Sequence, residues 1–158
     1  MANTLGPPTL AGFQAFILNN MGITVDVLPP TSAIVATALN LAQDVVNLQL
    51  RCASPDIYTL AVYYLAGSNI VNMAPDLPGA PIYMNDLPFF AYVRKSWNIF
   101  GFAGGVIQSS SDVSTSESMV VQKAAEEFTL ADIQLLKDPY GRKYLEFAQK
   151  YGTLWGST

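Results

Sequence analysis

Charge is what this sequence has least of. Asp, Glu, Lys and Arg make up 13% of its 158 residues, whereas about 25% is usual in soluble domains. Apolar residues reach 51%. A monomer with so few charged side chains has little with which to solvate its surface. The composition therefore favours a subunit of an assembly, whose surface is partly covered by other protein.

Residues that commonly carry catalysis or bind metals are also scarce. The chain has no histidine, the commonest general base and metal ligand. Its single cysteine, Cys52, excludes an internal disulfide and is predicted to be a small buried hydrophobe. No phosphate-binding glycine loop occurs, and Asp112 and Glu117 lack EF-hand spacing. The sequence predicts no enzyme, no catalytic residue, no cofactor and no metal site.

Basic residues and membrane-spanning runs are scarce as well. Eight basic residues against twelve acidic ones give a net charge of −4, and no basic run is present to bind phosphates, which argues against direct nucleic-acid binding. The charge-free stretch 57–75 contains Asn69 and Asn72, which indicates a buried helix rather than a membrane span. The opening MANTLGPPTL does not resemble a signal peptide. We expect a protein made in the cytoplasm, with no membrane segment.

Hydrophobic periodicity predicts one mainly α domain over residues 1–158, a bundle of four to six helices. Ser54 and Pro55 are typical of a helix start, and Asp86 is a candidate cap for a later helix. Residues 75–88 hold four of the ten prolines and predict an irregular loop. The expected helices cover 9–20, 32–52, 54–74, 86–100, a segment that starts at 129, and 139–151.

Helix 32–52 has the clearest pattern, with apolar residues at alternating steps of four and three. This stripe is predicted to pack inward, whereas a second, polar stripe is predicted to face water or a polar neighbour. The short break at 52–55 predicts an antiparallel hairpin with the next helix. The apolar stripe comprises Ile34, Ala38, Leu41, Val45 and Leu48, and the polar stripe Thr37, Asn40, Asp44, Asn47 and Arg51.

A Ser-rich segment interrupts the helical pattern. Serine fills six of the sixteen positions 106–121, and β-branched residues lie at both ends. A flexible linker and a β-hairpin both fit this composition. The fold prediction includes the second, as one hairpin that protrudes from the helical bundle at about 105–121. Beyond it, the tail 153–158 carries Leu154 and Trp155, an apolar pair that docking explains better than exposure.

Three segments in this order resemble the helical head-tail adaptor, or connector, proteins of tailed bacteriophages. They are the uncharged helix DIYTLAVYYLAGSNIV (56–71), the insert GVIQSSSDVSTSES (105–118) and DPYGRKYLEFAQKYG (138–152). In that family a Ser-rich β-hairpin follows a helical core, and a helix containing Tyr-Gly runs close to the C-terminus. The resemblance covers about two-thirds of the chain.

The resemblance implies a structural virion protein at the head-tail interface. Such adaptors form a homo-oligomeric ring, commonly of twelve copies, which binds the portal protein, offers a platform to the tail or nozzle and extends the DNA channel. A net negative charge suits a wall along which DNA passes without specific binding. The expected interface residues lie in the insert (Ser109, Ser110, Val113, Thr115), at the start of the last helix (Tyr140, Arg142) and in the tail (Leu154, Trp155).

Within this interpretation, the insert is expected to join neighbouring copies by backbone pairing, because its Ser and Thr leave the strand edges unencumbered. The tail is expected to dock on the portal or on an adjacent copy, although folding back onto its own bundle is an alternative. Two other functions stay open. One is a tail-completion or other minor phage structural protein, and the other is a small helical module that binds a ligand among its aromatic residues.

Overall fold

The helical pattern of the sequence is realised in the computed structural model, which describes residues 6–101, 110–112, 115–117 and 129–151. The prediction of a mainly helical fold is confirmed. Seven helices lie within these ranges: α1 (Leu10–Asn20), α2 (Ala33–Val45), α3 (Leu50–Ala53), α4 (Pro55–Met73), α5 (Phe89–Ser96), α6 (Leu130–Leu135) and α7 (Pro139–Lys150).

Helix α4 is the centre of the fold. It begins as its sequence predicts: Ser54 is the N-cap, its Oγ accepts a hydrogen bond from the Ile57 amide (3.4 Å), and Pro55 occupies the first turn. Helices α2 and α7 pack against it more extensively than any other described element. Eleven of its nineteen residues are buried. Coverage from several sides explains why this helix carries no charge after Asp56.

Helix α2 is shorter than predicted. It ends at Val45, because the next residue, Val46, adopts an extended backbone (φ −71°, ψ 122°). Residues 50–53 form the separate four-residue helix α3. Val46 and Leu50 are both buried, so apolar side chains continue to enter the core across the interruption.

The prediction that the larger apolar stripe of α2 packs inward is also wrong. Of its five residues only Ala38 is buried, whereas Leu41, Val45 and Leu48 are 42%, 64% and 62% exposed. The face that packs inward includes two alanines, whose small side chains permit close packing against α4. Its members are Val35, Ala38, Leu39 and Ala42.

Cys52 is exposed, so the prediction of a buried cysteine is wrong. It lies in the short helix α3, which offers few positions for burial. Of the four residues of that helix, Leu50 alone is buried.

The loop before α5 also differs from expectation. Asp86 does not cap the helix, since it occupies a turn with Asn85 in which both residues have positive φ (57° and 51°). Positive φ at two successive positions is typical of a type I′ turn, and Asn and Asp tolerate it better than most residues. Helix α5 starts three residues later, at Phe89, and ends at Ser96 rather than near Phe100. Phe100 is 83% exposed.

The cap of α5 comes from Asp76, across the loop. Its two carboxylate oxygens accept hydrogen bonds from the amides of Phe90 (2.8 Å) and Ala91 (2.9 Å). In return, Arg94 on α5 donates to the free carbonyls at the end of α4, namely Val71 (2.7 Å from Nε) and Ala74. Burial lowers the pKa of Arg94, and the Asp76 carboxylate opposes this shift. The loop after α4 therefore satisfies free amides of α5, and α5 satisfies free carbonyls at the end of α4.

The C-terminal helices start as predicted. Thr129 and Asp132 form a capping box at α6, with the Thr129 side chain bonded to the Asp132 amide and the Asp132 carboxylate bonded to the Thr129 amide. Helix α7 follows Asp138 directly. Gly141 allows α6 and α7 to approach, because a Cβ at this position would lie 2.2 Å from the Leu135 carbonyl oxygen.

Two three-residue strands lie within the Ser-rich segment. β1 (Ser110–Asp112) pairs antiparallel with β2 (Thr115–Glu117), with Ser111 opposite Ser116. The remainder of the predicted hairpin at about 105–121 lies outside the described residues, so a hairpin of that length stays a prediction. No helix in the described ranges is both long enough and apolar enough to cross a membrane.

Candidate functional site

The residues predicted to form an interface do not converge on one described site. Ser110 and Thr115 lie on the paired strands, Tyr140 and Arg142 lie in the first turn of α7, and Arg142 is exposed. The other four lie outside the described residues, and they are Ser109, Val113, Leu154 and Trp155.

Asp138 lies at the start of α7 and is fully buried. One carboxylate oxygen accepts hydrogen bonds from the backbone amides of Tyr140 (3.0 Å) and Gly141 (2.8 Å). The other accepts from Ser68 Oγ (2.8 Å) and Asn72 Nδ2 (2.9 Å) on α4. Because all four donors are taken up in positioning α7, this group is a structural anchor, and its chemistry does not indicate a reactive acid.

An aromatic cavity of about 350 Å³ lies beside α5. Tyr140 forms part of its wall and packs against Trp97 with ring centroids 6.1 Å apart. Burial, together with the nearby Asp138 carboxylate and Tyr64, raises the pKa of Tyr140 above its ordinary value. The other lining residues are Met21, Gly22, Ile23, Val71, Tyr83, Phe89, Tyr92, Val93 and Ser96.

A second, smaller cavity forms an apolar groove between α1 and the segment that leads to α2. It has a volume of about 200 Å³, and none of its lining residues is charged. The Gln14 side chain donates to the Pro30 carbonyl oxygen (3.0 Å) and so holds the segment against α1. The residues that line this apolar groove are Gln14, Ala15, Ile17, Leu18, Ile23, Val25, Leu28, Pro30 and Val35.

A third surface is the aliphatic stripe formed by Leu41, Val45 and Leu48, the exposed residues of the interrupted α2 region. Sequence reasoning identified these residues as a stripe but assigned them to the core. The apolar groove was not identified at all, since its lining comes from a helix, a loop and the start of a second helix. The Pro29-Pro30 pair was the one local signal that the segment beside α1, which forms turns at 25–27 and 30–31, is not helical.

Within the described part of the chain, no cluster of three or more acidic or cysteine side chains could hold a metal ion. Comparisons of the chain with family models, curated proteins and solved structures give no match. The three candidate surfaces described above are therefore mainly apolar: an aromatic cavity, an apolar groove and an aliphatic stripe. Such surfaces bind other apolar surfaces.

Proposed function

We propose that this chain is a structural virion protein without enzymatic activity. It is a subunit of a head-tail adaptor ring, which joins the portal of a tailed phage to its tail or nozzle and extends the DNA channel. The observation that carries the proposal is the exposure of large aliphatic side chains around a core that is already closed. Leu18, Val25, Val45 and Leu48 are each at least 50% exposed, although the central helix α4 is well covered. Exposure of this kind indicates surfaces that other protein covers.

The type of assembly rests on the three segments that resemble phage adaptors. The structure gives two of them a physical role. Segment 56–71 lies in the central helix α4, and Asp138 and Gly141 of segment 138–152 fix the start of α7 against α4 and α6. A net charge of −4 suits a channel wall that DNA slides past.

The proposal includes the finer expectations for the insert and the tail. The Ser-rich segment protrudes as a hairpin and contributes to contacts between copies. Leu154 and Trp155 dock on the portal or on a neighbouring copy. By analogy with the family, the ring contains twelve copies.

The aromatic cavity favours one other function, a small ligand-binding module. Its volume of about 350 Å³ lies within the range of small-molecule sites, about 300–1,000 Å³. Much of its wall, however, consists of rings that already pack on one another, such as Tyr83 against Phe89 and Tyr92. This packing suits a partner's apolar side chain as well as a small molecule, so the adaptor proposal stands first.

Attachment to portal-bearing heads tests the proposal. Filled heads that lack tails, prepared from the phage that encodes this chain, are incubated with the tagged protein and then sedimented. We expect the protein to sediment with the heads and to saturate at a fixed number of copies per head. Capsids assembled without portal serve as the control and should bind none. Equal binding to both particles, or no binding to portal-bearing heads, contradicts the proposal.

A further inference from the structure

We propose that copies of this chain associate head to tail, with the aliphatic stripe of one copy seated in the apolar groove of the next. This contact deepens the proposed function, on which it rests, by naming the surfaces that join neighbours in the ring. It does not use the Ser-rich segment, so backbone pairing there is an additional contact.

The groove is built to receive an aliphatic side chain. Leu18 and Val25 form its rims and are 50% and 55% exposed. Ile17, Ile23 and Leu28, which are buried, lie at its base. The groove has a volume of about 200 Å³ and no charged lining residue. In an isolated copy this apolar surface is exposed to water, which is unfavourable.

The stripe is also apolar, but it is convex where the groove is concave. Leu41 and Val45 lie one turn apart on α2, and Leu48 follows the helix end. All three side chains project from the surface and are branched aliphatics, the type that fits a narrow apolar groove. Groove and stripe thus form one concave and one convex surface of the same chemistry on one chain.

The two surfaces cannot meet within a single copy. At about 100° per residue, Gln43 lies roughly 90° to one side of the inward face of α2, and Leu41 and Val45 lie roughly 90° to the other side. Gln43 Nε2 donates to the Pro8 carbonyl oxygen just before α1 (3.1 Å), so the α1 side of α2 is the Gln43 flank. The groove lies beside α1, and the helical part of the stripe, Leu41 and Val45, lies on the opposite flank.

A contact between two different surfaces is heterologous, so each copy can bind one neighbour on each flank. Such contacts close into a ring when the rotation between copies is suitable. A three-residue stripe is much smaller than the about 20–30 residues per side of a standard interface. Association in pairs is therefore weak, and closure of the ring, in which every copy uses both surfaces, supplies the stability.

Two lysine substitutions test this contact separately. Val45→Lys places a charge on the stripe, and Val25→Lys places one on the groove rim. Ile82→Lys is the matched control, since Ile82 is 69% exposed and belongs to neither surface. All three positions are exposed, so each variant should keep the circular dichroism spectrum and Tm of the parent. Self-association is measured by sedimentation velocity up to about 1 mM.

We expect the parent and Ile82→Lys to self-associate, and Val45→Lys and Val25→Lys each to raise the Kd at least about tenfold, because a lysine ammonium cannot enter an uncharged groove without loss of hydration. An equimolar mixture of the two defective variants should form a 1:1 dimer. The intact stripe of one fits the intact groove of the other, and the two altered surfaces repel each other, which ends growth there.

Three outcomes overturn this contact: a parent that stays monomeric, variants that associate as well as the parent, or defective variants whose mixture does not dimerise. Attachment to portal-bearing heads is a separate measurement. If the parent attaches to heads while both variants still assemble normally, the contact is wrong and the adaptor function stands. If the mixture dimerises but the parent does not bind portal-bearing heads, the contact stands and the adaptor function is wrong.

Discussion

At the scale of single residues, Asp138 connects the C-terminal helix α7 to the central helix α4. A carboxylate with no exposed surface is costly unless its lone pairs are satisfied. Here two backbone amides and the side chains of Ser68 and Asn72 satisfy it. The order Asp138-Pro139 predicts the start of a helix from sequence alone, and that start is confirmed. The partners on α4 could not be predicted, because they lie 70 and 66 residues away.

Removal of the Asp138 side chain should lower the free energy of unfolding far more than removal of an exposed N-cap side chain. Asp138→Ala should lower the free energy of unfolding by about 3 kcal/mol or more, since it unpairs buried donors on two helices. Thr129→Ala, at the exposed N-cap of α6, is the control and should cost about 1 kcal/mol. Urea denaturation followed by circular dichroism measures both. Equal losses for the two variants contradict the role assigned to Asp138.

At the scale of elements, the end of α4 and the start of α5 depend on side chains from outside their own helix. Asp76 lies in the loop after α4 yet caps α5, whereas Arg94 on α5 binds the last carbonyls of α4. Local sequence signals predicted a cap at Asp86, because Asp before an apolar run is a common helix start. The chain instead turns at Asn85 and Asp86, and the cap comes from a residue fourteen positions before Phe90.

Because both side chains hold α5 to α4, their effects on stability should not be independent. We expect Asp76→Ala to cost about 1–2 kcal/mol and Arg94→Met about 2 kcal/mol. The double variant should cost at least about 0.5 kcal/mol less than the sum, because the first substitution already loosens α5. Lys95→Met, at the exposed neighbour of Arg94, should change stability by less than about 0.5 kcal/mol. Strict additivity in denaturation experiments contradicts the reciprocal arrangement.

The inward face of α2 shows why a correctly predicted helix does not reveal which of its faces is exposed. Both Ile34-Ala38-Leu41-Val45 and Val35-Ala38-Leu39-Ala42 have helical spacing, and the first contains larger apolar residues. The second packs inward, and its two alanines permit close packing against α4. Periodicity reports which residues share a face, but the partner helix decides which face is buried. The exposed aliphatic stripe, central to the proposed assembly, results from that choice.

At the scale of the whole molecule, low charge and exposed aliphatic side chains both describe a surface that is poor in charged groups. The sequence contains 13% charged residues, and the structure exposes Leu41 and Val45 on one flank of α2 and Leu18 and Val25 beside the groove. Composition alone predicted that other protein covers part of the surface. The positions of these two exposed groups could not be predicted, because they depend on how α1 and α2 pack.

The copy number of the portal complex tests the central claim most directly. The purified portal ring is mixed with an excess of this chain, and native mass spectrometry measures the complex. We expect one dominant species whose added mass equals a fixed ring of 17.1 kDa subunits, twelve by analogy with the adaptor family, with few partly filled rings because closure is cooperative. A chain that remains at 17.1 kDa beside an unoccupied portal, or that adds in a broad range of copy numbers, contradicts the adaptor account.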